Sequence, residues 1–132
     1  MKFENIPFTT RKGANGITLG LRLNGRNWVP KDRCEQMWDR ATEVLPLLDW
    51  SAPRTTSSFF ETEQWKKLRA GQTHALGRCL RYFADREMLP IYCINPEKRG
   101  TKLYAVIWPK LVLTQEALQP SPNTLQNPRF NS

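Results

Sequence analysis

A helix-forming segment, followed by a helix-stopping proline and two short strand-forming segments, constrains the fold of this chain most strongly. Residues 73–88 carry apolar side chains at helical spacing, which forms one face for packing: Leu76, Cys79, Leu80, Phe83 and Ala84. Thr73 has a hydroxyl of the kind that caps helix N-termini, and Pro90 disfavours helical backbone at the residue before it. The sequence therefore predicts an amphipathic helix over residues 73–88.

Beyond the proline, the apolar spacing changes to that of β-strands. Residues 91–94 and 103–107 are rich in β-branched and aromatic side chains. Residues 95–100 join them and contain Asn, Pro and Gly, which are typical of turns. These segments predict a β-hairpin with a long loop that carries basic side chains.

A helix followed directly by a hairpin with a basic tip resembles the recognition helix and wing of winged helix-turn-helix DNA-binding proteins. Upstream, Ser58-Phe-Phe-Glu61 has a capping-box pattern and predicts a shorter helix to about Ala70, with Gly71 as a left-handed C-cap. We expect Phe60 and Leu68 to be buried there, and Trp65 to be partly covered. The resemblance covers residues 58–107 and implies a duplex-binding regulator or an accessory protein of a mobile element.

The N-terminal part predicts a second hairpin. Residues 17–23 alternate between apolar and other residues, and the Asn24-Gly25 pair favours a two-residue type I′ turn into residues 26–29. With that turn, Leu21 would lie opposite Trp28. Residues 9–16 are interpreted as a flexible basic loop.

A long helix should follow this hairpin, with Asp32 as N-cap and Glu35 completing a capping box. Its apolar side chains form one continuous face: Cys34, Met37, Trp38, Ala41, Val44, Leu45 and Leu48. Pro46 should kink or end the helix. The apolar face would fill the core of the domain or, equally, form the interface of a homodimer.

Together these elements predict an α+β fold: an N-terminal β-hairpin, a long helix, and a helix-turn-helix with a C-terminal β-hairpin wing. At 132 residues the chain has the length of one domain, assigned to residues 1–113. Residues 108–113 would form a further strand or a short extension. Residues 114–132 are rich in Gln, Pro, Asn and Ser and predict a disordered tail.

The positive charge is concentrated in the helix and hairpin. The chain has 20 basic and 12 acidic residues, a net charge of +8. Residues 64–110 alone have ten basic and three acidic residues, or +7. A strongly basic surface favours acidic partners such as nucleic acid, an anionic membrane surface or an acidic protein.

Several side chains are candidates for contact with duplex DNA. On the helix, Thr73, His74 and Arg78 would face base edges, and Arg78 can donate two hydrogen bonds to guanine. Arg81 and Tyr82 would reach phosphate or sugar. Further cations would contact the DNA backbone from the preceding helix and the wing: Lys66, Lys67, Arg69, Lys98, Arg99 and Lys102. An ordinary solvated basic face is the alternative interpretation.

The residue pattern disfavours most enzymatic and metal chemistry. One histidine and three widely spaced cysteines lack the paired spacing of a zinc site, and the sequence implies neither a cofactor nor a catalytic residue. Two alternatives to DNA binding remain open. One is a non-enzymatic module that binds an acidic partner protein. The other is a metal-independent ribonuclease that would use His74, Arg78, Arg81 and Tyr82.

The cysteines and the N-terminus indicate the compartment. Cys34, Cys79 and Cys93 lie among apolar residues and form no C-x-x-C pair, which favours buried free thiols in a reducing cytoplasm. The first residues lack the apolar core of a signal peptide, and no apolar run has the length of a membrane span. We therefore expect a cytoplasmic protein without membrane contact.

Overall fold

The computed structural model describes residues 2–23, 27–97 and 99–107, and its α+β fold confirms the predicted class. In chain order the elements are β1 (Thr9–Gly13), β2 (Gly16–Arg22), β3 (Trp28–Pro30), α1 (Lys31–Val44), α2 (Thr62–Lys66), α3 (Ala70–Asp85), β4 (Ile91–Cys93) and β5 (Tyr104–Val106). Short 3₁₀ helices add Phe3–Asn5, Leu45–Leu47 and Thr56–Phe59. Strands β1–β2–β3 form one antiparallel sheet, and β4–β5 form a separate hairpin.

The prediction of a flexible loop over residues 9–16 is wrong, because most of this segment forms strand β1. Thr9–Gly13 pairs antiparallel with β2, and Gly16 takes up a positive φ of 109° where β2 begins. All five β1 residues are exposed to solvent. Because a strand exposed on both faces shows no apolar alternation, the pattern that identifies a strand is missing here.

The predicted pairing of Leu21 with Trp28 is also wrong. Leu21 pairs with Val29 and Arg22 with Trp28, and the Leu23 N–H donates to the Asn27 carbonyl at 2.8 Å. Three residues lie between that pair instead of two, which shifts the register by one. The Asn24-Gly25 turn itself lies outside the described residues. The observed register buries Leu21 and Val29 together.

Helix α1 begins directly after β3, so Asp32 is not its N-cap. Pro30 pairs with Gly20 in the sheet and precedes the first helical residue, and no side chain caps the helix. Asp32 lies in the first turn, where its carboxylate interacts favourably with the positive end of the helix dipole. The prediction for Pro46 is confirmed, because α1 ends at Val44 and a 3₁₀ turn contains the proline.

The core lies where α1 packs against α3, and both predicted apolar faces supply it. On α1, Cys34, Met37 and Ala41 are fully buried. The buried side chains of α3 are Ala75, Leu76, Cys79, Leu80, Tyr82, Phe83 and Ala84. The sulfur atoms of Cys34 and Cys79 lie 3.0 Å apart, as free thiols in contact. The face on residues 34–48 therefore fills the core of the chain itself.

The predicted helix from Ser58 to Ala70 is divided into two short pieces. A 3₁₀ helix covers Thr56–Phe59, and α2 covers only Thr62–Lys66. Phe59 and Phe60 are consecutive and both buried, and Phe60 is extended (φ −125°, ψ 154°). In a continuous helix, the side chains of two consecutive residues point about 100° apart. Because Phe60 is extended instead, the chain changes direction after Phe59 and both side chains are buried.

Helix α3 begins three residues earlier than predicted, at Ala70. Its N-cap is Arg69 and not Thr73, whose hydroxyl donates to the Ala70 carbonyl at 2.9 Å. The Gln72 side-chain oxygen accepts from the Arg69 N–H at 2.9 Å. Gly71 lies within the first helical turn and is not among the residues with positive φ. The predicted left-handed C-cap at Gly71 is therefore wrong.

The C-terminal end of α3 also differs from the prediction, at Asp85 instead of Met88. Glu87 adopts φ 57°, the Met88 N–H donates to the Phe83 carbonyl at 2.9 Å, and the Glu87 N–H donates to the Ala84 carbonyl at 3.1 Å. These bonds form a Schellman motif. The Schellman motif thus ends the helix upstream of Pro90.

The predicted C-terminal hairpin is present, with shorter strands. Ile91 pairs with Val106, and Cys93 with Tyr104. Asn95 stabilises the loop, because its side-chain oxygen accepts from the Leu103 N–H at 2.8 Å and its amide donates to the Thr101 carbonyl at 3.1 Å. The predictions for residues 108–113 and 114–132 lie outside the described residues.

Candidate nucleic-acid interface

A groove of about 970 Å³ runs along the polar face of α3. The segment 55–57 and residues 100–102 of the hairpin loop also line it. The side chains from α3 and its C-terminal end are Thr73, His74, Arg78, Arg81, Tyr82, Asp85 and Arg86. We call this feature the α3 groove.

Backbone pairing connects two of the segments that line the α3 groove. Arg54 and Tyr104 exchange both backbone hydrogen bonds, at 2.8 and 2.9 Å. The segment 55–57 therefore starts from the edge of strand β5. Its hydroxyl groups bond to each other, with Thr55 and Ser57 side-chain oxygens 2.8 Å apart.

The α3 groove brings together six of the residues predicted to contact DNA: Thr73, His74, Arg78, Arg81, Tyr82 and Lys102. Four others are exposed and do not line it: Lys66, Lys67, Arg69 and Arg99. Lys66 is within 4.0 Å of Glu63. Lys98 lies outside the described residues. The helix and the hairpin loop thus share one surface, which Lys66, Lys67, Arg69 and Arg99 do not line.

The cations of the groove differ in their contacts. Arg78 is exposed and has no hydrogen bond or ion pair within the described ranges. Arg81 Nε donates to both carboxylate oxygens of Asp85, at 2.9 and 3.0 Å, and this hydrogen bond raises the pKa of Arg81. Arg86 lies over the Tyr82 ring, 4.9 Å from its centroid. Lys102 donates to the Pro96 carbonyl at 3.3 Å.

Two tyrosines line the groove with buried hydroxyl groups. Tyr82 was predicted to reach phosphate or sugar, but its side chain is only 8% exposed, and Tyr104 is fully buried. In the described part of the chain, neither hydroxyl has a hydrogen-bond partner. Burial raises the pKa of Tyr104 above its ordinary value. A buried polar group without a partner costs about 1–3 kcal/mol.

Sequence reasoning missed several residues that line the groove. Arg86 lies one helical turn beyond Tyr82, a spacing that could have identified it. Residues 55–57 had the composition of a linker, and Tyr104 appeared to be an ordinary strand residue. No local signal places these segments beside α3, because the pairing of Arg54 with Tyr104 joins positions 50 residues apart in the sequence.

Within residues 2–23, 27–97 and 99–107, no group of three or more His, Cys, Asp or Glu side chains could hold a metal ion. Over the same ranges, every helix is too short or too polar to cross a membrane.

Comparison with known proteins gives no match to this chain among protein-family models, curated proteins or solved structures.

Proposed function

We propose that the protein binds nucleic acid through the α3 groove and does so without catalysis. The observation that carries this proposal is the charge of the groove. Among the described residues that line it, four are cationic (Arg78, Arg81, Arg86 and Lys102) and one, Asp85, is acidic. Hydroxyl groups and His74 add further hydrogen-bonding groups on the same surface. Phosphate groups bind to surfaces of this chemistry.

The winged-helix resemblance gives this proposal one specific form. In that form α3 is the recognition helix, hairpin β4–β5 is the wing, and the protein is a cytoplasmic regulator bound to duplex DNA or a mobile-element accessory protein. The order of α2, α3 and the hairpin supports it. The five residues of α2 make it short for the first helix of a helix-turn-helix. The general proposal, nucleic-acid binding in the groove, does not depend on this form.

Fluorescence anisotropy with labelled DNA tests the general proposal. If the four cations each neutralise one phosphate, a log–log plot of affinity against salt should have a slope of about −3 for a single strand and about −4 for a duplex. Arg78→Ala should weaken binding several-fold without changing the melting temperature, since Arg78 is exposed.

Lys12→Ala is the matched control, because it also removes one positive charge, from an exposed position on β1 outside the groove. Equal losses in the two variants would indicate diffuse surface charge and contradict binding in the groove. Absence of binding to any DNA or RNA at low salt would overturn the proposal. Retention of an acidic protein instead would then favour the protein-binding alternative.

A metal-independent ribonuclease is the second candidate, because the groove contains His74 together with Arg78 and Arg81. A neutral imidazole can accept a proton, and arginines can stabilise a negatively charged phosphorus intermediate. Incubation with RNA in EDTA should produce cleavage that His74→Ala abolishes. Intact RNA, under conditions where it is bound, would exclude this candidate.

A further inference from the structure

We infer that the α3 groove binds single-stranded nucleic acid in preference to duplex, with an unpaired nucleotide hydrogen-bonded to the hydroxyl groups of Tyr82 and Tyr104. This inference rests on the proposed function, nucleic-acid binding in the same groove. It specifies the form of the ligand and the groups that contact it.

The two tyrosine hydroxyl groups could form hydrogen bonds to a ligand. Both side chains are more than nine-tenths buried, both line the groove, and within the described chain neither hydroxyl has a partner. A tyrosine hydroxyl donates one hydrogen bond and also accepts. It therefore suits a base carbonyl, a ring nitrogen or a phosphate oxygen. A nucleotide at this position would supply the hydrogen bonds that the protein itself does not.

Movement of two arginine side chains would make the tyrosine hydroxyl groups accessible. Arg86, an exposed side chain, covers the Tyr82 ring. Arg81 is held by Asp85 in an ion pair in which the arginine is 32% exposed and the aspartate 53%. Exposed ion pairs are weak, and long cationic side chains move at little cost. A phosphate would attract both arginines away from these contacts, which opens the way to the tyrosines.

The shape of the site also favours a single strand. Segment 55–57 and residues 100–102 line the groove together with the polar face of α3, so other parts of the chain adjoin this face. A recognition helix must instead project into a major groove about 8.5 Å deep. A volume of about 970 Å³ admits a few nucleotides of a single strand. The bases in a duplex stay paired and stacked, so they cannot reach hydroxyl groups that are buried beneath the side chains of the groove.

An aromatic side chain lines the groove together with the cations. Trp65 lines the groove, is partly exposed, and packs against Phe60 with ring centroids 5.3 Å apart. Sites for single strands combine cations that follow the backbone with aromatic rings on which bases stack. Trp65 is positioned to provide such a ring, which a base inside a duplex could not use.

Anisotropy titrations compare a labelled 12-residue oligothymidine with a duplex of the same length at one salt concentration. We expect the single strand to bind at least tenfold more tightly. Tyr82→Phe and Tyr104→Phe each remove one hydroxyl and should weaken binding of the single strand about threefold to tenfold. Tyr92→Phe is the matched control, because Tyr92 is 49% exposed on β4 and does not line the groove.

A measurement on the unaltered protein avoids any effect of these substitutions on folding. The chain has three tyrosines, so tyrosine-specific ¹³C labelling gives three sets of ring signals. Oligothymidine should shift the signals of Tyr82 and Tyr104 and leave those of Tyr92 in place.

The outcomes separate this inference from the proposed function. Tighter binding of duplex, or unchanged Tyr82 and Tyr104 signals in a saturated complex, would overturn the inference. If that complex still depends on salt and on Arg78, the proposed function stands. If neither single strand nor duplex binds, both fail.

Discussion

Tyr82 and Tyr104 place hydroxyl groups within the hydrophobic core. Phenylalanine at either position would pack the same ring without a polar atom. The hydroxyls therefore lower the stability of the free protein, and contact with a ligand is the effect that would offset this cost. Stability and binding should respond in opposite directions when a hydroxyl is removed.

We predict that Tyr104→Phe raises the free energy of unfolding of the ligand-free protein by about 1 kcal/mol, because it removes a buried group without a partner. Urea denaturation measures this change as a higher midpoint with an unchanged slope. The exposed Tyr92→Phe should leave the midpoint where it is. A lower midpoint for Tyr104→Phe would show that its hydroxyl is hydrogen-bonded in the free protein.

At the scale of secondary-structure elements, the sequence predicted helix faces better than helix ends. The apolar faces of α1 and α3 follow from repeated spacing, and many side chains contribute to that signal. Each end depends on one or two residues whose role is decided by the neighbouring structure. Asp32 is not the N-cap, because Pro30 of β3 directly precedes the helix and occupies that position. Similarly, Glu87 ends α3 although glycine usually occupies such positions.

Glu87→Gly should therefore stabilise the protein relative to Glu87→Ala, by about 1 kcal/mol. Both variants lose the same carboxylate and its contacts, but only glycine adopts the φ of 57° without steric cost. Thermal or urea denaturation of the two variants measures the difference. Equal stability would mean that this residue does not adopt a left-handed conformation in solution.

At the scale of the whole molecule, charge pattern and residue spacing predicted only part of the site. The helix residues of the groove were predicted because they share one face of a single element, and spacing alone places them together. Segment 55–57 and Tyr104 reach the groove through pairing between distant parts of the chain. Sequence patterns carry little information about such pairing when each partner has only one or two bonded residues.

The pH dependence of global stability tests the packing of α1 on α3. Contact with Cys34, together with burial, raises the pKa of Cys79 above its ordinary value of 9.0, and burial raises that of Tyr104 above 10.0. The folded protein keeps protons that the unfolded chain releases above these values. The contribution of these two groups to the free energy of unfolding should be constant below pH 9 and fall above it. The fall should be steeper above pH 10, because each titrating group lowers the free energy of unfolding by about 1.4 kcal/mol per pH unit.

Urea denaturation under reducing conditions between pH 8 and 11 measures this decline. Cys79→Ala provides the comparison, since it removes one titrating group while Tyr104 remains. Its stability will be lower at every pH, so the slopes are compared. The variant should show a shallower decline between pH 9 and 10. Identical slopes would show that the Cys79 thiol ionises as readily in the folded protein as in the unfolded chain.

The two backbone hydrogen bonds between Arg54 and Tyr104 have a mechanical consequence for the α3 groove. They make Arg54 a one-residue β-bridge partner of Tyr104 in β5, so the start of segment 55–57 is bonded directly to the hairpin. Any fluctuation that widens the entrance by separating the two must break both bonds at once. Access for a ligand should therefore depend on rearrangement of side chains, because the backbone around the groove already has its bound arrangement before the ligand arrives.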